Sequence, residues 1–251
     1  MRADGVALAA RLGRAAALTG RDSESHVSVS DLKDEGLAFF RDGNLAQAGR
    51  LFRNALRADP RMADVHNNLG AVLRKRGRPQ SAISAFQTAL MLNPRSASTF
   101  GNLGNLHERY GNIPQAEHYY LKAVELEPRM HQAFVGLARI AARRSRWDDA
   151  LAALSRAAAL VPKSPEVLHQ MGVVYLGKGD LAAAHTQLRN AAGQAPDSVA
   201  IKASLADVLM RRGERGAAAE LTAWCLEREP ENTIALSVRD ALNAGAGESP
   251  A

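Results

Sequence analysis

The chain is poor in the residues that usually announce catalysis or a membrane. It holds a single cysteine, Cys225, among 251 residues, which excludes a disulfide within the chain and favours a reducing compartment, the cytoplasm. Aromatic residues make up 5% against 46% hydrophobic residues overall, so the core must be built from helices packed through alanine and leucine. No apolar stretch approaches the ~20 residues needed to span a bilayer. The histidines, His26, His66, His107, His118, His131, His169 and His185, form no pair with metal-ligand spacing. No glycine-rich phosphate loop and no Ser/His/Asp arrangement is present. These absences lead to the expectation of a protein that is not an enzyme, with no catalytic residue, no metal and no cofactor.

What the chain does have is a period. Pro60, Pro94, Pro128, Pro162, Pro196 and Pro230 recur every 34 residues. Ala48, Ala82, Ala116, Ala150, Ala184 and Ala218 keep the same step, as do Ala55, Ala89, Ala123, Ala157, Ala191 and then Cys225. A third small row runs Gly36, Gly70, Gly104, Ala138, Gly172, Ala206. Bulky residues follow in phase: Phe52, Phe86, Tyr120, Leu154 and Leu188, with Thr222 last. The breaker Gly43, Gly77, Gly111, Gly179 and Gly213 is interrupted only by Ser145. A fixed period of this length is the mark of a repeat architecture.

Each row has a physical job. Apolar residues recur at helical spacing within a unit, as in Ile83, Phe86 and Leu90. The mid-unit glycine suits a left-handed cap that ends a first helix. The closing proline lacks an amide donor and disfavours helix in the residue before it, so it ends a second helix. Ser164-Pro165 offers an N-cap followed by proline in the first turn. Small rows let two helices approach closely. Each helix of about 13 residues is marginal alone in water, so stability must come from stacking on neighbours.

This set of residues resembles the tetratricopeptide repeat, most fully in residues 63–96 and 97–130. The resemblance implies an all-α, right-handed α-solenoid of helix-turn-helix repeats. Six repeats (29–62, 63–96, 97–130, 131–164, 165–198 and 199–232) are expected. A capping helix follows over 233–243, with Ile234, Val238 and Leu242 on one face, and a disordered tail over 244–251. Residues 1–28 read as an alanine-rich helix or a flexible leader. Arg11 and Arg14 interrupt its apolar residues, which argues against a secretory signal, and no cysteine follows to carry a lipid.

In this family the first helices line a concave face, which gives the expected partner-binding residues. The second repeat contributes Asn67, Asn68, Arg74 and Lys75, the third Asn102, Asn105 and Arg109, with Glu108 beside them. The fourth contributes Arg139 and Arg143, together with Val135, and the fifth Gln170, Val173 and Leu176. Ala203 continues the face in the sixth. Asn68 and Asn102 each precede a Leu-Gly pair, as in the superhelix of O-linked N-acetylglucosamine transferase that the central repeats resemble. An asparagine amide both donates and accepts, so it can match a peptide unit regardless of sequence. Asp34, Gly136 and Ser204 break that ladder, and Gln170 could continue it. Arg41, Lys75, Arg109, Arg143 and Arg211 also keep the period. A basic stripe for an acidic partner and favourable helix C-terminal charges both account for them. His107 falls in an apolar row and is expected to be a packed, hydrogen-bonded core residue.

The net charge of +6 raises nucleic acid as a partner, but the basic residues are spread over helix ends and no reading motif appears. The expectation is a scaffold or adaptor that binds an extended peptide or helix of another protein, with no specific nucleic acid and no membrane span. Two alternatives stand beside it: an assembly factor for a bacterial envelope or secretion/pilus machine, and a substrate-selecting repeat subunit of a glycosyltransferase system. The end repeats offer a route to homo-oligomers.

Overall fold

The structure is a computed structural model and describes residues 28–244. Of the leader expected over 1–28 and the tail expected over 244–251, only Ser28 and Ala244 are described: Ser28 caps the first helix and Ala244 ends the last one, one residue beyond the expected capping helix. Every regular element among the described residues is an α-helix, thirteen in all. None is long and apolar enough to cross a membrane. The described residues divide into two compact units, with the boundary between Pro60 and Arg61.

The first unit contains α1 (Val29–Arg41) and α2 (Leu45–Ala58). A reciprocal cap opens α1: Asp31 N donates to Ser28 Oγ at 3.1 Å, and Ser28 N donates to Asp31 Oδ2 at 3.0 Å. The two helices meet where Phe52, fully buried, fills the space beside Gly36.

In the second unit five helix pairs follow one another. They are α3 (Ala63–Lys75) with α4 (Pro79–Leu92), α5 (Ala97–Arg109) with α6 (Ile113–Leu126), and α7 (His131–Arg143) with α8 (Trp147–Leu160). Then come α9 (Pro165–Lys178) with α10 (Leu181–Gln194), α11 (Val199–Arg211) with α12 (Arg215–Arg228), and finally α13 (Thr233–Ala244).

Helix ends fall where the punctuation rows place them. Asn93, Glu127, Val161, Ala195 and Glu229 cap the second helices with φ between −131° and −137°. Each is the residue before a row proline, which excludes the helical conformation there. The mid-repeat glycines all have positive φ, from 68° at Gly77 to 90° at Gly179, and Ser145 adopts the same left-handed conformation at 55° without being glycine. Ser164 Oγ accepts from Val167 N, with Pro165 opening α9.

Packing sorts the second unit into layers. Each first helix packs on its own second helix, and α5, α7, α9 and α11 also pack on the preceding second helix, while the first helices α3, α5, α7, α9 and α11 touch in sequence. The second helices do not touch one another. The layer whose members meet is the inner one, so the faces of α3, α5, α7 and α9 form the concave side of the unit. The capping helix α13 packs on both α11 and α12. Its buried residues are Ala235 and Val238, with Leu242 half-buried, while Ile234 is 41% exposed. The packed face is thus one residue round from the one expected, because the smaller Ala235 fits against α12.

Candidate functional site

The inner faces of α3, α5 and α7 carry a polar network that links three repeats. At its centre is Glu108, a carboxylate only 6% exposed. Arg139, on the next repeat, donates Nε to Glu108 Oε1 at 2.9 Å and Nη2 to Oε2 at 2.8 Å, a bidentate pair. Tyr120 Oη donates to the same Oε2 at 2.8 Å from α6. Burial by itself would push the Glu108 pKa up, but these hydrogen bonds outweigh it and hold the carboxyl below its usual range. Burial and the adjacent carboxylate push the Tyr120 phenol far up, so it remains a donor at neutral pH. The Arg139 guanidinium is locked in its charged form mainly by its hydrogen bonds to Glu108.

Tyr120 explains the broken ladder. It occupies the bulky row that holds Phe52 and Phe86 elsewhere, and a Cβ at Gly136 would lie 2.3 Å from its Cζ. Another at Gly104 would lie 2.7 Å from its Cδ1. An asparagine therefore has no room at position 136: the ring that carries the Glu108 hydroxyl partner already fills it.

The asparagines are connected across repeats as well. Asn102 Nδ2 donates to Asn67 Oδ1 at 2.9 Å. In the same register three repeats on, His169 Nε2 lies 2.9 Å from Ser204 Oγ. Ser204 gives its own proton to Ala200 O, so the imidazole Nε2 is the donor. Arg74 donates Nη1 to Asn105 Oδ1 at 2.6 Å, and its Nε is buried without a partner. Burial first, and then the charge of Arg109, lower the Arg74 pKa.

Two adjoining clefts open on this network. One, about 350 Å³, is lined by Ser98, Asn102, Gln132, Met130 and Glu166 among others. The second, about 390 Å³, is lined by Arg74, Asn105, Glu108, Arg109, Arg139 and Arg143. Arg74, Asn105 and Arg139 form the wall they share. Arg109 and Arg143, in the last turns of α5 and α7, are exposed and make no hydrogen bond or ion pair among the described residues.

Of the twelve expected binding residues, Asn102, Asn105, Arg74, Arg139, Arg109 and Arg143 line these clefts, and Asn67 is tied to them through Asn102. Asn68 lies beside Asn67, half-buried and without a hydrogen bond among the described residues. Lys75 is exposed in the last turn of α3. Gln170, Val173 and Leu176 sit further along on α9 and line neither cleft, Val173 being 38% exposed and Leu176 packed on the core shared with α11. Val135 and Ala203, expected on the inner face, are instead buried. They turn from that face into the contacts between repeats. Tyr120 and Glu166 were not anticipated. A tyrosine in a row of phenylalanine and leucine was the available signal for the first, since a buried hydroxyl needs a partner. His107 is half-buried against Tyr119, ring centroids 5.2 Å apart, and its buried Nδ1 has no hydrogen-bond partner among the described residues. Burial alone pulls its pKa down, and the expected hydrogen bond at that nitrogen is missing.

Solved structures with this architecture are similar at low identity. The chain matches the crystal structure of the APC/C hetero-tetramer Cut9-Hcn1 with a TM-score of 0.82 at 19% identity, over 87% of this chain and 44% of that one. It therefore spans less than half the length of that relative. PilW, a widely conserved type IV pilus biogenesis factor, matches with a TM-score of 0.73 at 19% identity, over 84% of this chain and 97% of that one. YrrB, a TPR protein with an unusual peptide-binding site, gives 0.55 at 20% identity, over 75% and 97%. No curated protein matches the chain in sequence. The family described as the cilia and flagella-associated protein 70 C-terminal domain matches residues 2–240. With a match of that extent behind the 34-residue rows and the helix pairs, the chain belongs to this tetratricopeptide-repeat family.

Proposed function

We propose that the protein is an interaction scaffold whose inner face, across α3, α5 and α7, binds an extended segment of a partner protein. The observation that carries this reading is the pair of adjoining clefts lined by amide and guanidinium groups from three successive repeats. Asn68 has its full donor and acceptor capacity to offer. Asn102 keeps its Oδ1 and one N–H after bonding Asn67, which suits a peptide unit that must both give and take a hydrogen bond. Arg109 and Arg143 add unspent positive charge at the rim, favouring an acidic segment.

In this reading the protein is not an enzyme and works in the cytoplasm. Supporting the first point, Glu108, Tyr120 and Arg139 satisfy one another, so the buried carboxylate at the centre of the network is not available as a base. The single cysteine supports the second, since Cys225 is buried and burial pushes its thiol pKa up, away from reactivity.

The test is affinity capture from the native cell with wild type and an Asn68→Ala/Asn102→Ala variant. Two net hydrogen bonds are worth about 1–3 kcal/mol together, so partner affinity, and with it recovery, should fall by about fivefold or more. Circular dichroism should show unchanged helicity, although loss of the Asn67–Asn102 bond will lower the melting temperature slightly. Equal recovery by both proteins sinks the amide-ladder reading.

A second reading, an assembly factor for a pilus or envelope machine, is favoured by the near-complete coverage of PilW. It is separated from the first by the identity of the captured partner.

A further inference from the structure

Three guanidinium groups with no salt bridge among the described residues face the cleft between α3, α5 and α7. Arg74 is bonded only to the neutral Asn105 and keeps a buried Nε without a partner. Arg109 and Arg143 have no polar partner among the described residues. The fourth cation, Arg139, is already matched by Glu108, whose single charge also attracts Arg143 but cannot offset all four guanidinium groups. Four arginines and one carboxylate around about 390 Å³ leave three net positive charges facing one space. Favourable helix-end placement accounts for Arg109 and Arg143 singly. It does not account for Arg74 being brought close to Arg109, half-buried, with a donor unspent.

Such a cluster calls for an anion with several oxygens. A lone carboxylate brings one negative charge and leaves two cations exposed to each other. A phosphate monoester brings nearly two charges at neutral pH and three acceptor oxygens, which match guanidinium forks. A second observation points to the carrier. The adjoining cleft shares Arg74, Asn105 and Arg139 with this one and is lined by the Ser98 hydroxyl, the amides of Asn102 and Gln132 and the Glu166 carboxylate, donors and acceptors suited to a peptide backbone. Among the described residues no exposed aromatic face lines either cleft to stack a nucleic-acid base, Tyr120 being 2% exposed.

We propose that the cleft bounded by Arg74, Arg109 and Arg143 binds the phosphate of a phosphorylated serine or threonine carried by the partner segment. The proposal rests on the peptide-groove reading for the carrier, not for the phosphate. Arg74 and Arg109 grip the phosphate from one side and Arg143 from the other. The Glu108–Arg139–Tyr120 cluster forms the rigid floor that keeps the arginines from collapsing onto a carboxylate.

Fluorescence anisotropy with labelled Gly/Ala peptides carrying a central phosphoserine, glutamate or serine tests this. The phosphoserine peptide should bind at least about tenfold more tightly than the serine peptide and several-fold more tightly than the glutamate peptide. Arg109→Ala with Arg143→Ala should erase that preference while lowering the melting temperature only slightly, since both side chains are exposed and lose no salt bridge or hydrogen bond, only a favourable helix-end charge. Equal binding of phosphoserine and serine peptides overturns the proposal, as does a preference that survives both substitutions. Glutamate binding as well as phosphoserine also overturns it, in favour of a general acidic site. Free O-phosphoserine separates the two readings. If it binds as tightly as the phosphopeptide, with the same arginine dependence, the phosphate site stands and the peptide groove falls. If all three peptides bind alike and lose affinity in the Asn68→Ala/Asn102→Ala variant, the groove stands and the phosphate site falls.

Discussion

Tyr120 departs from its row by one oxygen atom, and that atom organises the inner face. Its ring does what Phe52 and Phe86 do in earlier repeats, filling the space beside a glycine, while its hydroxyl holds Glu108 in place for Arg139. Tyr120→Phe should keep the packing and lose one hydrogen bond to a charged group, costing about 1.5–3 kcal/mol in urea unfolding. Urea is preferable to guanidinium here because salt would screen the ion pair. Gly136→Ala gives a sharper test of the same packing. In a helix interior this change is ordinarily favourable by about 1 kcal/mol. Here the added carbon meets the Tyr120 ring, so a loss of about 1–3 kcal/mol is expected, and a gain would contradict the contact. Thr222 is the other departure from the row. Its buried hydroxyl has no partner among the described residues, so Thr222→Val, nearly the same shape, should stabilise by about 1 kcal/mol in the same unfolding assay.

The helices owe their limits to short-range rules. A residue before proline leaves the helical region, and a left-handed residue three to four places after the last apolar position closes a first helix. Ser145 tests that account. It adopts φ 55°, where a side chain costs about 1–2 kcal/mol and glycine costs nothing sterically. Ser145→Gly should therefore raise stability by about 0.5–1 kcal/mol after the extra flexibility of the unfolded chain is subtracted. An unchanged or lower urea midpoint would show that the α7–α8 turn is held by something other than backbone conformation. These elements were fully legible in the sequence, since each signal acts within a few residues. The face of α13 was not: Ile234 and Ala235 are adjacent, and which one packs depends on the angle at which α13 meets α11 and α12.

For the molecule as a whole, the buried polar groups make stability depend on pH in two steps. Burial lowers the pKa of His107, and of His169 against the opposing charge of Glu166. The unfolded chain therefore binds protons near pH 6.5 that the folded chain does not, and stability falls as the pH drops below about 6.5. Glu108, held below its usual pKa, contributes above about pH 4.5, and that contribution is lost as the pH falls through its depressed value. The urea midpoint should begin to decline near pH 6.5, and His107→Leu with His169→Gln should postpone the decline to the carboxylate range. A midpoint that is flat down to about pH 5 in the wild type would refute the first step.

The sequence by itself determined the repeat, the number of helix pairs, and the glycines and prolines that punctuate them. These rest on short-range signals inside one 34-residue unit, and a period makes such signals visible. Only the tertiary structure decided how the polar residues of the inner face divide between one another and a partner. Asn67 with Asn102, Arg74 with Asn105 and Glu108 with Arg139 are pairs 31 or 35 residues apart, joined by the rotation from one repeat to the next. Hydrogen bonds need donor and acceptor within about 3 Å. A spacing in sequence places two side chains on neighbouring helices but does not bring them that close. The same rotation separates the arginine that is matched from the three that are not.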